Sequence, residues 1–124
     1  MADHRLAVVP QKQQVVASSV TPHQCDLGSL ASVRAFVAEW ASSGRAIDVL
    51  CLNAGAQFTG VTTPPRTADG FEITVGVNHL GHFLLTNLLL PAVRASDLPA
   101  PRIIVTASEV QRSPLTASRC LART

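Results

Sequence analysis

The chain has 124 residues, 47% of them apolar and only 15% charged, with ten Lys+Arg against eight Asp+Glu. That composition suits one core-forming domain and excludes a disordered, highly charged polypeptide. No basic cluster is interleaved with aromatics, so a nucleic-acid groove, which must displace counterions from phosphates, is excluded as well.

Two counts narrow the chemistry further. There is no tyrosine, and Lys12 is the single lysine. Cysteines stand at 25, 51 and 120 with no C-x-x-C pair, which argues against both a disulfide scaffold and a zinc knuckle. Cys25 and Cys51 lie in apolar runs and read as buried thiols in a reducing compartment. The N-terminus lacks the basic-then-apolar layout of a secretory signal. The most apolar stretch, 83–90, is interrupted by Thr86 and Asn87 and falls short of the ~20 residues of a membrane-spanning helix. A soluble protein without a membrane span is expected.

In chain order, 1–14 is an N-terminal segment of uncertain structure with one apolar run, 6–9, closed by Pro10. The β-branched stretch 15–20 reads as a strand that Pro22 breaks. Ser29 is an N-cap candidate. After it, Leu30, Val33, Phe36, Val37 and Trp40 recur at three- and four-residue steps, one face of a helix that Gly44 stops. The nearly continuous apolar run 47–52 suits a strand covered on both faces, as in a parallel sheet. Gly60, Pro64 and Pro65 make 56–66 a loop. A long helix is expected over 69–90, apolar on more than one face and so buried on several sides. Pro91, Pro99 and Pro101 punctuate the connection to a second buried strand, 102–107, which ends at Ser108. From Arg112 no period is visible, and 111–124 reads as a tail. Strand, helix, strand, long helix, strand is the order of an α/β, doubly wound (Rossmann-like) parallel sheet with flanking helices, here over 15–110.

In that architecture ligands gather beyond the carboxyl ends of the strands, where Asp26, Asn53-Ala54-Gly55 and Ser108 all fall. Each has a plainer alternative. Asp26 is equally a turn or helix-capping carboxylate, the Asn53 turn a simple strand exit, and Ser108 a structural hydroxyl. Asn78 lies within an apolar helix, where its amide must find partners or cost roughly 1–3 kcal/mol. His79 and His82 share a helix face, but their three-residue spacing without an intervening Glu is not a zinc-protease signature, and no metal site is expected. The absence of a G-x-S-x-G elbow disfavours an α/β-hydrolase. Cys51, in mid-strand without an evident base, is not a nucleophile.

Taken together, Cys25-Asp26-Leu27, Leu52-Asn53-Ala54-Gly55, Val77-Asn78-His79-Leu80-Gly81-His82-Phe83 and Arg102-Ile103-Ile104-Val105-Thr106-Ala107-Ser108 resemble the short-chain dehydrogenase/reductase family in order and spacing. Within it, Thr67-Ala68-Asp69-Gly70-Phe71-Glu72 and Ser96-Asp97-Leu98-Pro99 look most like the light-dependent protochlorophyllide reductases, with retinol-dehydrogenase-like members second. The resemblance implies that Asp26, Leu27, Asn53, Ala54 and Gly55 contact NADP (NADPH). It also implies that Asn78 holds a water of the proton relay through its helix backbone and that Ser108 is the catalytic serine. The implied reaction is hydride transfer to a C=C or C=O of a small-molecule substrate, in the cytoplasm or plastid stroma.

Three departures follow from the sequence. Glycines occur at 28, 44, 55, 60, 70, 76 and 81, with no G-x-G to cradle a pyrophosphate. The family's Tyr-x-x-x-Lys cannot be formed, and losing a positioned general acid typically costs about 10²–10⁴ in rate. The family's strand order also leaves two places unfilled between the strand before Asp26 and the strand before Asn53, a gap of ~14 Å at the usual strand spacing. The expectations are an incomplete sheet, weak or absent NADPH binding, no turnover by this chain, and poor stability in isolation. The alternative is a non-catalytic assembly module that pairs with an intact relative, or forms a homo-oligomer, through the 69–90 helix.

Overall fold

The computed structural model describes residues 20–58 and 62–108. The N-terminal segment 1–14, the expected strand 15–20 apart from Val20, and the tail 111–124 lie outside the described residues. Val20 itself is 82% exposed and in no strand.

Ser29 opens helix α1, Leu30–Ser42, as its residue type dictates: its hydroxyl accepts from the Ser32 N–H at 3.3 Å. Gly44, at φ +64, takes the left-handed conformation that ends helices and that costs glycine least. The periodic positions face inward. Val33 is fully buried, and Phe36, Val37 and Trp40 pack against the same cluster.

Strand β1, Val49–Leu52, is two residues shorter than the apolar run. Ile47 and Asp48 serve as anchors instead. The Ile47 N–H donates to the Ala92 carbonyl at 3.0 Å, and the Asp48 carboxylate accepts from the Ser96 hydroxyl at 2.6 Å.

The expected helix over 69–90 is displaced at both ends. It starts with a short α2, Ile73–Val75, passes through a π-helical turn, Gly76–Gly81, and continues as α3, His82–Arg94. The late start has a local cause. Asp69 spends its carboxylate on α1, accepting from the Leu30 N–H at 2.8 Å, and Gly70 turns at φ +86. Glu72 caps in its place, accepting from the Thr74 and Val75 N–H groups at 2.9 Å each. At the other end Pro91 lies inside α3 rather than in the connection after it. Its ring denies the Asn87 carbonyl an intrahelical donor, yet the helix runs on to a C-cap at Ala95, whose N–H reaches the Pro91 carbonyl at 3.0 Å. The continuous helix Ile73–Arg94 therefore has 22 residues, long and apolar enough to cross a membrane by length and composition. The same properties serve a core helix, and here Leu85, Leu89 and Val93 meet Val33, Ile47 and Leu52.

Strand β2, Arg102–Val105, pairs with β1 in parallel, Val49 opposite Arg102 through Leu52 opposite Val105. With α3 as crossover this is one βαβ unit, the local mark of a parallel α/β sheet. Among the described residues the sheet has two strands. The incomplete Rossmann-like sheet is thus observed, but the expectation that both strands are covered on both faces fails. Leu50 and Leu52 turn toward the helices, Val49 and Cys51 are exposed, and every residue of β2 is exposed. Among the described residues these apolar strands, whose pattern suits a two-sided cover, have helices on one side only. Cys51, expected to be buried, is exposed for this reason, whereas Cys25 is half-buried.

Candidate functional site

The carboxyl ends of β1 and β2 are tied together before any side chain is placed for chemistry. The Thr106 N–H donates to the Leu52 carbonyl at 3.0 Å, and the Thr106 hydroxyl donates to the Asn53 side-chain oxygen at 2.8 Å. Asn53 is thereby oriented by the neighbouring strand. The turn that follows is held from the helix side. Asn78 accepts from the Ala56 N–H and donates to the Ala56 carbonyl, both at 2.8 Å. Its side chain is a two-point clamp on one peptide residue, so the amide that had to find partners within an apolar helix has found them in the loop. Gly55 sits against this clamp, and a Cβ there would lie 3.6 Å from the Asn78 oxygen, ordinary contact. Glycine at 55 is therefore not demanded by this contact, though it keeps the shelf open.

Two more glycines bring the helix to the site. A Cβ on Gly81 would strike the Leu27 carbonyl, and one on Gly76 would strike the Thr67 methyl group. The π turn between them lies against Leu27 on one side and the 67–71 loop on the other. Thr67 is buried, its hydroxyl accepting from the Phe71 N–H at 3.1 Å.

A cleft of about 530 Å³ opens where β1, β2 and the helix meet. Asn53, Ala54, Gly55, Asn78 and Ser108 all line it, five of the seven residues marked in the sequence. The other two, Asp26 and Leu27, lie elsewhere. Asp26 accepts from the Gly28 N–H at 2.8 Å while its own N–H donates to the Ser32 hydroxyl at 3.0 Å, an Asx turn that leads into α1. Leu27 lines a second hollow of about 410 Å³, between residues 21–27 and β1, which Asn53 and Ala54 also border. The shelf at 53–55 thus stands between the two spaces.

Sequence reasoning missed Thr106, His82, Phe83 and Thr86, which line the cleft as well. Thr106 carried a readable signal, a hydroxyl two residues before Ser108 and level with the Asn53 turn. His82 did not, since its role depends on the π turn: its Nδ1 lies 3.0 Å from the Val77 carbonyl. Among the described residues no cluster of His, Cys, Asp and Glu could hold a metal ion.

Among the described residues two groups titrate away from their usual range. Backbone N–H groups of Thr74 and Val75 hold the Glu72 carboxyl below the usual glutamate value. Burial, with a smaller effect from the Asp26 charge, pushes the Cys25 thiol up.

For a nicotinamide dinucleotide the residues present fit in part. The 53–55 shelf offers small, exposed residues beside a fixed amide, suited to a ribose or a flat heterocycle. Among the described residues no glycine-rich turn is available for the pyrophosphate, and the sequence holds no G-x-G.

A parallel βαβ unit with its polar residues at the carboxyl ends of the strands defines the class as a Rossmann-type α/β protein. The chain belongs to the short-chain dehydrogenase family, whose sequence profile matches residues 2–119. Its similarity is to protochlorophyllide reductases in particular. It is 52% identical over 83 residues to the chloroplastic protochlorophyllide reductase of Daucus carota, covering 67% of this chain and 21% of that protein. It is 46% identical over 98 residues to the enzyme of the same name from Chlamydomonas reinhardtii, covering 79% and 25% respectively. The chain thus spans about a quarter of the length of these relatives. Among solved structures, the Pseudomonas aeruginosa RhlG/NADP active-site complex matches with a TM-score of 0.57 and 27% identity, over 72% of this chain and 35% of that one.

Proposed function

We propose that the chain carries part of the active site of a nicotinamide-dependent short-chain oxidoreductase of the protochlorophyllide reductase type. One observation supports the reading most. The turn Asn53-Ala54-Gly55, Asn78 and Ser108, from three separate segments of the chain, border one cleft at the carboxyl ends of the two strands. In this reading the 53–55 shelf receives a ribose or heterocycle of NADPH, Leu27 meets the adenine from the second hollow, and Asp26, in the Asx turn beside Leu27, accepts from the adenine amino group. Asn78 keeps the shelf in place, and the Ser108 hydroxyl donates to the carbonyl or equivalent group of a small-molecule substrate. When bound, the nicotinamide supplies the hydride, for a C=C or C=O acceptor. The proton donor and the lysine that tunes it come from outside these residues, so the 124-residue chain alone has no turnover. The names of the relatives make the plastid stroma the compartment to test first.

The experiment is a titration of the purified chain with NADPH, followed by backbone NMR. Shifts concentrated at Asp26, Leu27, Asn53, Ala54 and Gly55 at millimolar NADPH are expected, with no consumption of NADPH above background. An unperturbed spectrum sinks the binding half of the reading, and measurable oxidation sinks the statement about turnover.

A second reading is favoured by one feature, the exposed apolar face of the long helix, where Val75 is 52% and Phe83 63% exposed. Here the chain is an assembly module that pairs through this helix with an intact relative or with itself. Sedimentation with and without such a relative separates the readings, since a monomer indifferent to the partner excludes this one.

A further inference from the structure

We infer that His82 is a positioning residue whose ring holds the peptide plane between Val77 and Asn78, and through it the clamp on the 53–56 shelf. The argument begins with the π turn. A π-helical turn is rare, and its geometry needs support from outside the regular ladder. Gly76–Gly81 receives such support at one carbonyl, that of Val77, which faces His82 Nδ1 at 3.0 Å. A carbonyl oxygen can only accept, so Nδ1 carries the hydrogen. The backbone N–H of His82 is turned to the His79 carbonyl, three residues back, which tightens the exit from the π turn.

The Val77 carbonyl and the Asn78 N–H belong to one planar peptide group. Fixing that carbonyl therefore fixes where the Asn78 N–H and Cα lie, the point from which its side chain leaves the helix. Asn78 then meets Ala56 with two bonds of 2.8 Å, a geometry that tolerates little rotation. Gly76 and Gly81 bring the same turn against Thr67 and Leu27, so the turn is seated from outside while His82 sets its inner plane. His82 borders both hollows and touches no residue of the 53–56 shelf by any hydrogen bond of its own; its effect there passes through Asn78. That the shelf receives a ligand rests on the function proposed above, whereas the geometry does not.

The test uses the full chain without cofactor, so its failure is distinguishable from failure of the functional reading. Nitrogen-15 shifts of the His82 ring are expected to show hydrogen on Nδ1; a neutral ring with hydrogen on Nε2 alone overturns the inference. Three variants give the second measurement, the exchange rate of the Ala56 amide hydrogen. His82→Asn places an amide donor where Nδ1 stood, His82→Gln places it near the Nε2 position, and His82→Phe fills the space with no donor. Exchange in His82→Asn is expected to stay within about threefold of the parent, while His82→Gln and His82→Phe speed it by roughly tenfold, the scale of one hydrogen bond. Amides of α1 report whether a variant is folded. Equal acceleration in all three variants, or in none, overturns the inference. Should His82→Phe unfold the chain, the ring shifts and the His82→Asn against His82→Gln contrast still decide it.

Discussion

At the scale of single residues, side chains that sequence reasoning leaves ambiguous are resolved by their hydrogen bonds. Glu72 is the clearest. Folded Glu72 holds its proton less tightly than unfolded Glu72, because two backbone N–H groups bond its charged form. Unfolding therefore takes up a proton between the two values. The cap's contribution is complete above the ordinary glutamate value of about 4.3 and is lost as pH falls through the lower, folded one. A Glu72→Gln chain is expected to show a shallower decline of melting temperature than the parent below about pH 4.3. Identical slopes in thermal melts at pH 5, 4 and 3 contradict this. Cys25 carries the opposite sign. Its raised value means that the folded state keeps a proton the unfolded thiol gives up, so stability falls as pH rises above the ordinary thiol value of about 8.5. Iodoacetamide at pH 8 is expected to modify the exposed Cys51 at least several-fold faster than the half-buried Cys25, as followed by peptide mass spectrometry.

Helix and strand starts were legible where one residue type has one use. Ser29 caps and Gly44 stops as their types predict, and the 3–4 spacing of Leu30 through Trp40 marked α1 correctly. Asp69 misled as a helix start because its use is set by a neighbour in space, and Pro91 stands inside α3 rather than after it. An aspartate before an apolar run is a good cap, but the N–H it caps belongs to Leu30, 39 residues earlier.

The element scale turns on glycines that admit a close approach. Gly81→Ala would drive a methyl group into the Leu27 backbone carbonyl, which cannot swing away. A destabilisation of about 1–3 kcal/mol is expected, in the range for overpacking. Gly44→Ala meets no atom within 4 Å but must adopt φ +64, and should cost about 1–2 kcal/mol from backbone strain alone. Urea melts of the two variants test the pair. A Gly81→Ala loss below a few tenths of a kcal/mol means that the helix does not seat on Leu27 as described. Asn78→Ala removes both bonds to Ala56 and is expected to loosen the 53–56 turn while α1 stays intact. Hydrogen exchange at Ala56 against that at Val33 and Phe36 checks this directly.

Across the whole molecule, the feature that governs stability is how little of the apolar surface finds a cover. Among the described residues only Val33 has a side chain with essentially no exposure, and Val105, Ile104 and Val49 on the sheet remain open at 64%, 47% and 48%. The hollow of about 410 Å³ separates residues 21–27 from β1, which is where the family's strand order leaves places for strands. A chain built this way is expected to melt broadly, with a small urea m-value and with binding of a hydrophobic dye in native buffer. A sharp, reversible transition with no dye binding would show that the exposed strands are covered in solution.

The absence of tyrosine and of a second lysine, the order of the motifs and the periodicity of α1 and of the long helix were set by the sequence alone. The motifs and the periodicity determined the family, the α/β class and five residues of one cleft, while the two missing residue types marked the departure from that family. Periodicity and residue type act locally, so they can be read without a fold. Only the tertiary structure decided that Asp26 serves its own turn, that Asn78 spends its amide on Ala56, that His82 enters the site through a π turn, and that among the described residues both strands lack a cover on one side. Each of these depends on which partner lies opposite, and a partner many residues away leaves no mark on the local pattern.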